Sequence, residues 1–317
     1  MPQKGHYTAG VCVLFDRPVS IEDVTAALSS FDIAGRAEDP PPETWMFGGP
    51  SIALNFRPEV NGLVVVDTVD KPWPDSMGDP KNNPQMFGAW MMGHFGPFTF
   101  PDGLSRASQQ SWLWEAGKTV PEQQKAFVRI RAGYAFGDVP DDTPLLPDNY
   151  DPQAELRFVT DVAAKLLEMP GAVCYFNPSG EVLRDAATLT ESLKYADAEG
   201  IAPLDAWSNV RLANAEDGWL VMDTVGNEQL DLPDIEVCVR REKNYDLGQV
   251  DNFLRNVTAY LLQNGEVIKD GDTMDGLGTR WTFHERKTGI LMPPRRTLRA
   301  FPEDGTEPPA SLRLERE

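Results

Sequence analysis

Trp73, Asp75, Asp79 and His94 are the residues whose types best suit chemistry. They lie together in residues 73–96, "WPDSMGDPKNNPQMFGAWMMGHFG". Two carboxylates and an imidazole beside aromatic rings could exchange protons as an acid/base pair. The same aspartates also suit turns, since "PDSMG" and "GDPKN" combine Asp, Pro and Gly in turn order. The other histidines, His6 and His284, have no second His, Cys or acid pair at ligand spacing. No nucleophile elbow, phosphate loop, dinucleotide fingerprint or Cys-x-x-Cys occurs. In "KDGDTMDG", Asp270, Asp272 and Asp275 imitate a calcium loop, but Met274 stands where an oxygen ligand is needed and no closing Glu follows. A solvated hairpin turn is the expectation there. The reading is therefore no catalytic residue, no metal and no cofactor. Trp73, Asp75, Asp79, His94 and Trp112 become candidates for contact with a partner, because aromatic side chains dominate binding hot spots.

The elements that must position these residues come next. Residues 73–96 hold two Trp, four Met, three Pro and four Gly with no helical or alternating period. Proline and glycine oppose both helix and strand, yet so many large apolar groups are not normally left in water. Composition divides the stretch: apolar groups cluster after Gln85, while Asp75, Asp79, Lys81, Asn82 and Asn83 precede it. Phe87, Trp90 and Met91 are expected to be buried, and the Trp73 to Asn83 end exposed. In "SWLWE", Trp112 and Trp114 lie two apart on an expected helix from Ser105 to Ala116, so one should be core and the other near the surface.

Two passages answer each other across the chain. Gly62–Val69 reads "GLVVVDTV" and Gly218–Val225 reads "GWLVMDTV", preceded by Asn55-Phe56-Arg57 and Asn209-Val210-Arg211 respectively. Further upstream, "GVCVLF" from Gly10 answers "GAVCYF" from Gly171. Three matches in one order suggest a duplicated α+β unit, with Asp67-Thr68 and Asp223-Thr224 at equivalent strand ends. Strands are expected at "VCVLFD", "SIALNFRPE", "GLVVVDTVD", "AFVRIRAGY" and "LPDIEVCVR". A helix follows Ser20, a plausible cap. Another, "LGQVDNFLRNVTAYLLQNG", has Val250, Phe253, Leu254, Val257, Tyr260 and Leu261 on one face and Asn264-Gly265 as its stop. The expected division is a first α+β unit over 1–140 with an inserted loop at 70–118, and a Pro- and Asp-rich linker at 141–154. A second α+β unit over 155–300 and a polar tail at 301–317 follow.

With 49 acidic against 29 basic residues the net charge is −20. Such a surface repels nucleic acid and anionic lipid and speeds encounter with basic partners. No window is long and apolar enough for a membrane span, and the N-terminus lacks the pattern of a signal peptide. Cys12, Cys174 and Cys238 sit in apolar runs without disulfide or zinc spacing. A cytoplasmic, reduced protein is expected.

The passages "VMDTVGNEQLDLPDIEV", "NVTAYLLQNGEVIKDGDT" and "GAVCYFNPSGEVL" resemble the uncharacterised bacterial family called domain of unknown function 4261, most clearly over Asp161 to Met274. That family's pattern is a Thr-x-Gly, a Leu-Pro-acid-x-Glu strand, a helix ending near Asn-Gly, and a Gly-Asp-Thr turn. The resemblance assigns no catalytic residue. It implies that some relatives act as cytoplasmic immunity proteins against secreted toxins. Joined to the acidity and the aromatic insertion, it predicts an immunity protein that occludes the cleft of a basic toxin domain. The alternative is an enzyme or small-ligand protein with a pocket between the two units.

Overall fold

The run "AGVCVLF" is apolar on both of its alternating sides, so it suits a strand covered on both faces. It forms β1 (Ala9–Phe15), every residue of which is buried. A computed structural model describes residues 4–136 and 144–313. The chain divides into two units, Met1–Trp207 and Ser208–Glu317, each mixing helices with a sheet of its own.

In Met1–Trp207 β1 is followed by α1 (Ile21–Ala27), where Ser20 accepts the Asp23 N–H at 3.1 Å as the expected cap. Next come β2 (Ile33–Arg36), β3 (Ser51–Arg57) and β4 (Gly62–Val69). The insertion carries α2 (Pro84–Met91), α3 (Gly103–Gln109) and α4 (Val120–Gln123) before β5 (Ala126–Gly133). Then follow α5 (Pro152–Leu166), β6 (Ala172–Asn177), β7 (Val182–Arg184), α6 (Ala186–Glu199) and α7 (Leu204–Trp207). The strand order is β2-β3-β4-β5-β1-β6-β7, antiparallel at each ladder. Helix α5 packs on β1 and β5. Cys12, Leu14, Val69, Phe127, Cys174 and Phe176 share a core cluster with Trp73, Trp90, Phe95 and Leu104 of the insertion. The insertion is thus the second layer of this sheet.

In Ser208–Glu317 the elements are β8 (Asn209–Asn214), β9 (Trp219–Val225), β10 (Asp234–Arg240) and α8 (Leu247–Asn264). After them come β11 (Thr273–Gly276), β12 (Thr279–Arg286), β13 (Thr297–Pro302) and α9 (Ala310–Arg313). The sheet runs β11-β12-β13-β10-β9-β8, with β10 and β13 parallel. Helix α8 lies on β9 and β10, burying Val250, Phe253, Leu254, Val257 and Leu261, and stops at Gly265 as expected. Tyr260, expected on that buried face, is exposed.

Several expectations are corrected. The division falls at Trp207: β6 and β7 are strands of the first sheet, and α5 and α6 belong to the same unit, instead of opening a second unit at residue 155. The likeness of "GVCVLF" to "GAVCYF" has a physical source: β1 and β6 are neighbouring antiparallel strands facing the same core. The last residues of the expected first unit, 137–140, and the start of the expected linker, 141–143, lie outside the described residues. The polar tail is partly structural, for Phe301 and Pro302 end β13 and Leu312 of α9 is buried; residues 314–317 lie outside the described residues.

The two hairpins share less than their sequences suggest. Asp67 and Asp223 both stand two residues before the end of their strands. Yet Arg211 lies directly across from Asp223, whereas Arg57 pairs with Gly62 at the turn and Ser51 faces Asp67. The sheets also differ in strand order and in the parallel β10–β13 ladder. A duplication of whole units is not established.

Candidate functional site

The insertion is ordered from within. Trp73 is 3 % exposed and packs edge-on against Phe95, Phe127 and Phe176 at centroid distances of 5.4, 5.3 and 5.2 Å. The Trp73 main-chain N–H donates to the Gln124 carboxamide oxygen at 2.7 Å, which ties the two ends of the insertion together. Trp90 of α2 stacks on Phe95 at 4.8 Å. Asp75 accepts the Leu104 and Ser105 N–H groups, each at 2.8 Å, and the Ser105 hydroxyl at 2.6 Å. Its carboxylate thereby meets the otherwise unpaired donors at the start of α3. Asp79 accepts the Lys81 and Asn82 N–H groups at 2.8 and 3.0 Å and closes a turn.

These placements redistribute the candidate residues. Trp73 is core and offers a partner nothing. Asp75 is half-buried and occupied as a helix cap, so removing it would loosen α3. Asp79 is exposed but serves its turn. Of the three groups expected to be buried, Trp90 is and Phe87 is half so, while Met91 is 67 % exposed and followed by exposed Met92. Trp112 is 57 % exposed next to exposed Leu113, and Trp114 packs against the core, the division expected of that pair. The expected helix stops at Gln109, however, and the two rings are separated by loop geometry. The doublets Met91-Met92 and Trp112-Leu113 are the outward apolar groups of the insertion. "WMMG" carries their signal in sequence: two large apolar residues with a Gly directly behind them, where a helix ends.

His94 stands against Asp67, Arg129 and Arg131, although the acid/base reading placed it with Asp75 and Asp79. Its Nδ1 lies 2.8 Å from the Phe47 carbonyl, and its own carbonyl accepts Arg131 at 2.9 Å. Burial, then the neighbouring Arg131, lowers the imidazole to about 4. Asp67 receives Arg129 at 2.6 Å and Arg131 at 2.7 Å, all three side chains buried. Arg129 reaches on to the Trp45 and Met46 carbonyls, and the Gly49 N–H donates to Asp67 at 2.9 Å. A side chain at Gly49 would collide with the Thr68 carbonyl at 1.9 Å. Burial alone would raise the Asp67 carboxyl, but Arg129 and Arg131 outweigh it and hold it below its usual range. The arginines were legible as the alternating charges of "VRIRAG" in a strand otherwise apolar.

A second ionic centre lies in Ser208–Glu317. Arg211 reaches Asp223 at 2.7 Å, and Arg295 bonds Asp223 and reaches Asp234 at 3.0 Å. Arg299 reaches Glu236 at 2.9 Å, and Glu236 also accepts the Ile290 N–H at 2.6 Å. Asp234 accepts the Thr224 hydroxyl at 2.7 Å. All six charged side chains are buried. Burial alone would raise Asp223, but Arg211 and Arg295 hold it below its usual range. Burial lifts Asp234 above its ordinary value in spite of Arg295. Five of the six charges fall between Asp223 and Arg299.

Residues 223–300 match the family described as Domain of unknown function (DUF4261). No curated protein and no solved structure matches the chain. The DUF4261 segment takes in β10, α8 and most of β13, and leaves out "GAVCYFNPSGEVL", which belongs to the first sheet. Within it, Leu232-Pro233-Asp234-Ile235-Glu236 supplies Asp234 and Glu236, so this run of the matched segment encodes two of the six charges of an internal network. Beside it, burial and the charge of Asp234 push Glu228 up to about 7. The carboxylates and guanidiniums of the segment's centre are engaged with one another and enclosed. That arrangement fixes a packing; it does not present reactive groups to a substrate. In the first unit, a cleft of about 800 Å³ is lined by Trp45, Pro41, Arg36 and Ser20. There Arg36 is bound to Glu22 at 2.8 Å and Ser20 to Asp23 at 2.7 Å.

Proposed function

We propose that this chain is a binding protein for a basic partner, which it meets through the outward side of the insertion. The observation that carries this reading is the exposure of Met91, Met92, Trp112 and Leu113 on a segment whose inner side is pinned into the core. Rigid exposed aromatics and pliable methionines are the groups that supply buried area at interfaces. The net charge of −20 supports a basic partner and disfavours nucleic acid and anionic membrane. A basic toxin domain whose cleft is occluded belongs to this class of partner, and the charge is what speaks for it. A cytoplasmic setting suits three buried cysteines free of disulfides. No helix among the described residues is long and apolar enough to cross a membrane.

The test is affinity isolation from the native cell extract with the full chain and with a W112A/L113S/M91S/M92S variant. A basic protein retained by the first and lost from the second is the expected result, with an association rate that falls as salt screens the charges. Equal retention by both chains, or a rate indifferent to salt, overturns the reading.

A further inference from the structure

The cleft of about 800 Å³ in Met1–Trp207 opens at the end of the first sheet where β1, β2 and β4 finish and β3 begins. Its size suits a small molecule, since ligand pockets run to about 300–1,000 Å³. Val19, Pro41, Trp45, Pro50 and Val69 give it an apolar lining. One wall, residues 45–49, is pinned from behind by buried charge. The Trp45 and Met46 carbonyls accept from Arg129 at 3.0 and 2.9 Å, and the Gly49 N–H donates to Asp67 at 2.9 Å. The Phe47 carbonyl lies 2.8 Å from His94 Nδ1. A wall fixed in this way is preformed, and a ligand does not have to order it. Gly48 stands between those bonds with an ordinary backbone, and a Cβ there would meet nothing within 4 Å.

The charged groups of the cleft are of two kinds. Arg36 is engaged by Glu22 at 2.8 Å and by Asp39 at 3.3 Å, and Asp23 accepts the Ser20 hydroxyl at 2.7 Å. Asp70 and Lys71 are exposed and form no ion pair among the described residues. They follow β4 at a bend, where neighbouring side chains are released from the alternation of a strand, and both line the cleft. A free carboxylate beside a free ammonium complements a ligand that carries both charges on one carbon. Glu22, Asp23, Asp39 and Asp70 outnumber Arg36 and Lys71 around the cleft. An acid without an ammonium group is therefore disfavoured.

We infer that this cleft binds a free α-amino acid with a large apolar side chain. Asp70 receives the ammonium of the ligand and Lys71 its carboxylate, while its side chain lies against Trp45 and the prolines. The buried pair of Asp67 and Arg129 then has a use beyond stability, since it sets the wall that carries Trp45. None of this rests on the partner contacts of the insertion, and the test uses no partner.

The experiment is calorimetric titration of the full chain with L-phenylalanine and L-tryptophan. Each is compared with its amine, phenethylamine or tryptamine, and with its acid, 3-phenylpropionate or 3-indolepropionate. At least one amino acid should bind, at least tenfold more tightly than its amine, with its acid weaker still. Glycine, which has both charges and no apolar side chain, should give no detectable heat. D70N should remove the preference for the amino acid over the acid, and K71Q the preference over the amine. G48L, which puts a side chain into open space at the cleft wall, should weaken binding at least tenfold at an unchanged Tm. Failure of both amino acids to bind overturns the inference. So do amines or acids that bind as tightly as the amino acid, or an affinity that G48L leaves intact.

Discussion

Arg129 lies directly across the β4–β5 ladder from Asp67 and grips it side-on, Nη2 to Oδ2 at 2.6 Å and Nε to Oδ1 at 3.2 Å. From the same guanidinium, bonds run up to the Trp45 and Met46 carbonyls. The pair therefore joins the sheet to the layer above it. Removing one partner leaves buried charge without compensation. D67N should cost about 3–5 kcal/mol, read as a lowered urea midpoint. Replacing Asp67, Arg129 and Arg131 together with Leu, Met and Leu should recover much of that loss. A D67N chain as stable as the wild type would mean that solvent reaches the pair.

Core and surface residues of the insertion should separate cleanly. W73A and W90A each delete a large ring from one aromatic cluster, and each should lose about 3–5 kcal/mol. M91S and W112A, at exposed positions, should stay within about 0.5 kcal/mol. Thermal unfolding of the four variants checks this, and a destabilised M91S would place that side chain inside.

Asp75 is expected to act through α3. D75A should lose about 0.5–2 kcal/mol, the range for a lost helix cap. D75N should lose less, because a carboxamide still accepts the Leu104 and Ser105 N–H groups. Equal losses for both variants would assign the effect to charge instead of capping.

Glu228 gives a pH signature of definite sign. Its folded value of about 7 stands above the ordinary 4.5, so between those values the folded chain keeps a proton the unfolded chain has lost. Its stabilising contribution is full below about 4.5 and is lost as pH rises through about 7. The loss has a ceiling of roughly 3 kcal/mol, which the partial solvent exposure of Glu228 reduces. E228Q should remove this component. Urea midpoints of both chains across that window measure it, and parallel profiles would show that Glu228 titrates normally.

Composition and period alone determine much of this protein. The apolar runs, the Ser20 cap and most of the α8 stripe specify strands and helices by local rules, and those elements form where their residues indicate. The strand run "LPDIEV" is likewise legible, as is the split between Trp112 and Trp114. What needs the tertiary structure is which apolar run joins which sheet. A strand buried on both faces looks the same wherever it is laddered, so β6 could be read as the start of a new unit when it is the neighbour of β1. The placement of Trp73 is decided in the same way: turn residues surround it in sequence, but the sheet below offers an aromatic cavity that only the folded layers create. The charges follow this rule most strongly. Asp67 lies 62 positions from Arg129, and Asp223 lies 72 from Arg295; the charges can be seen in the sequence, but only the folded chain brings them within bonding distance and removes them from water.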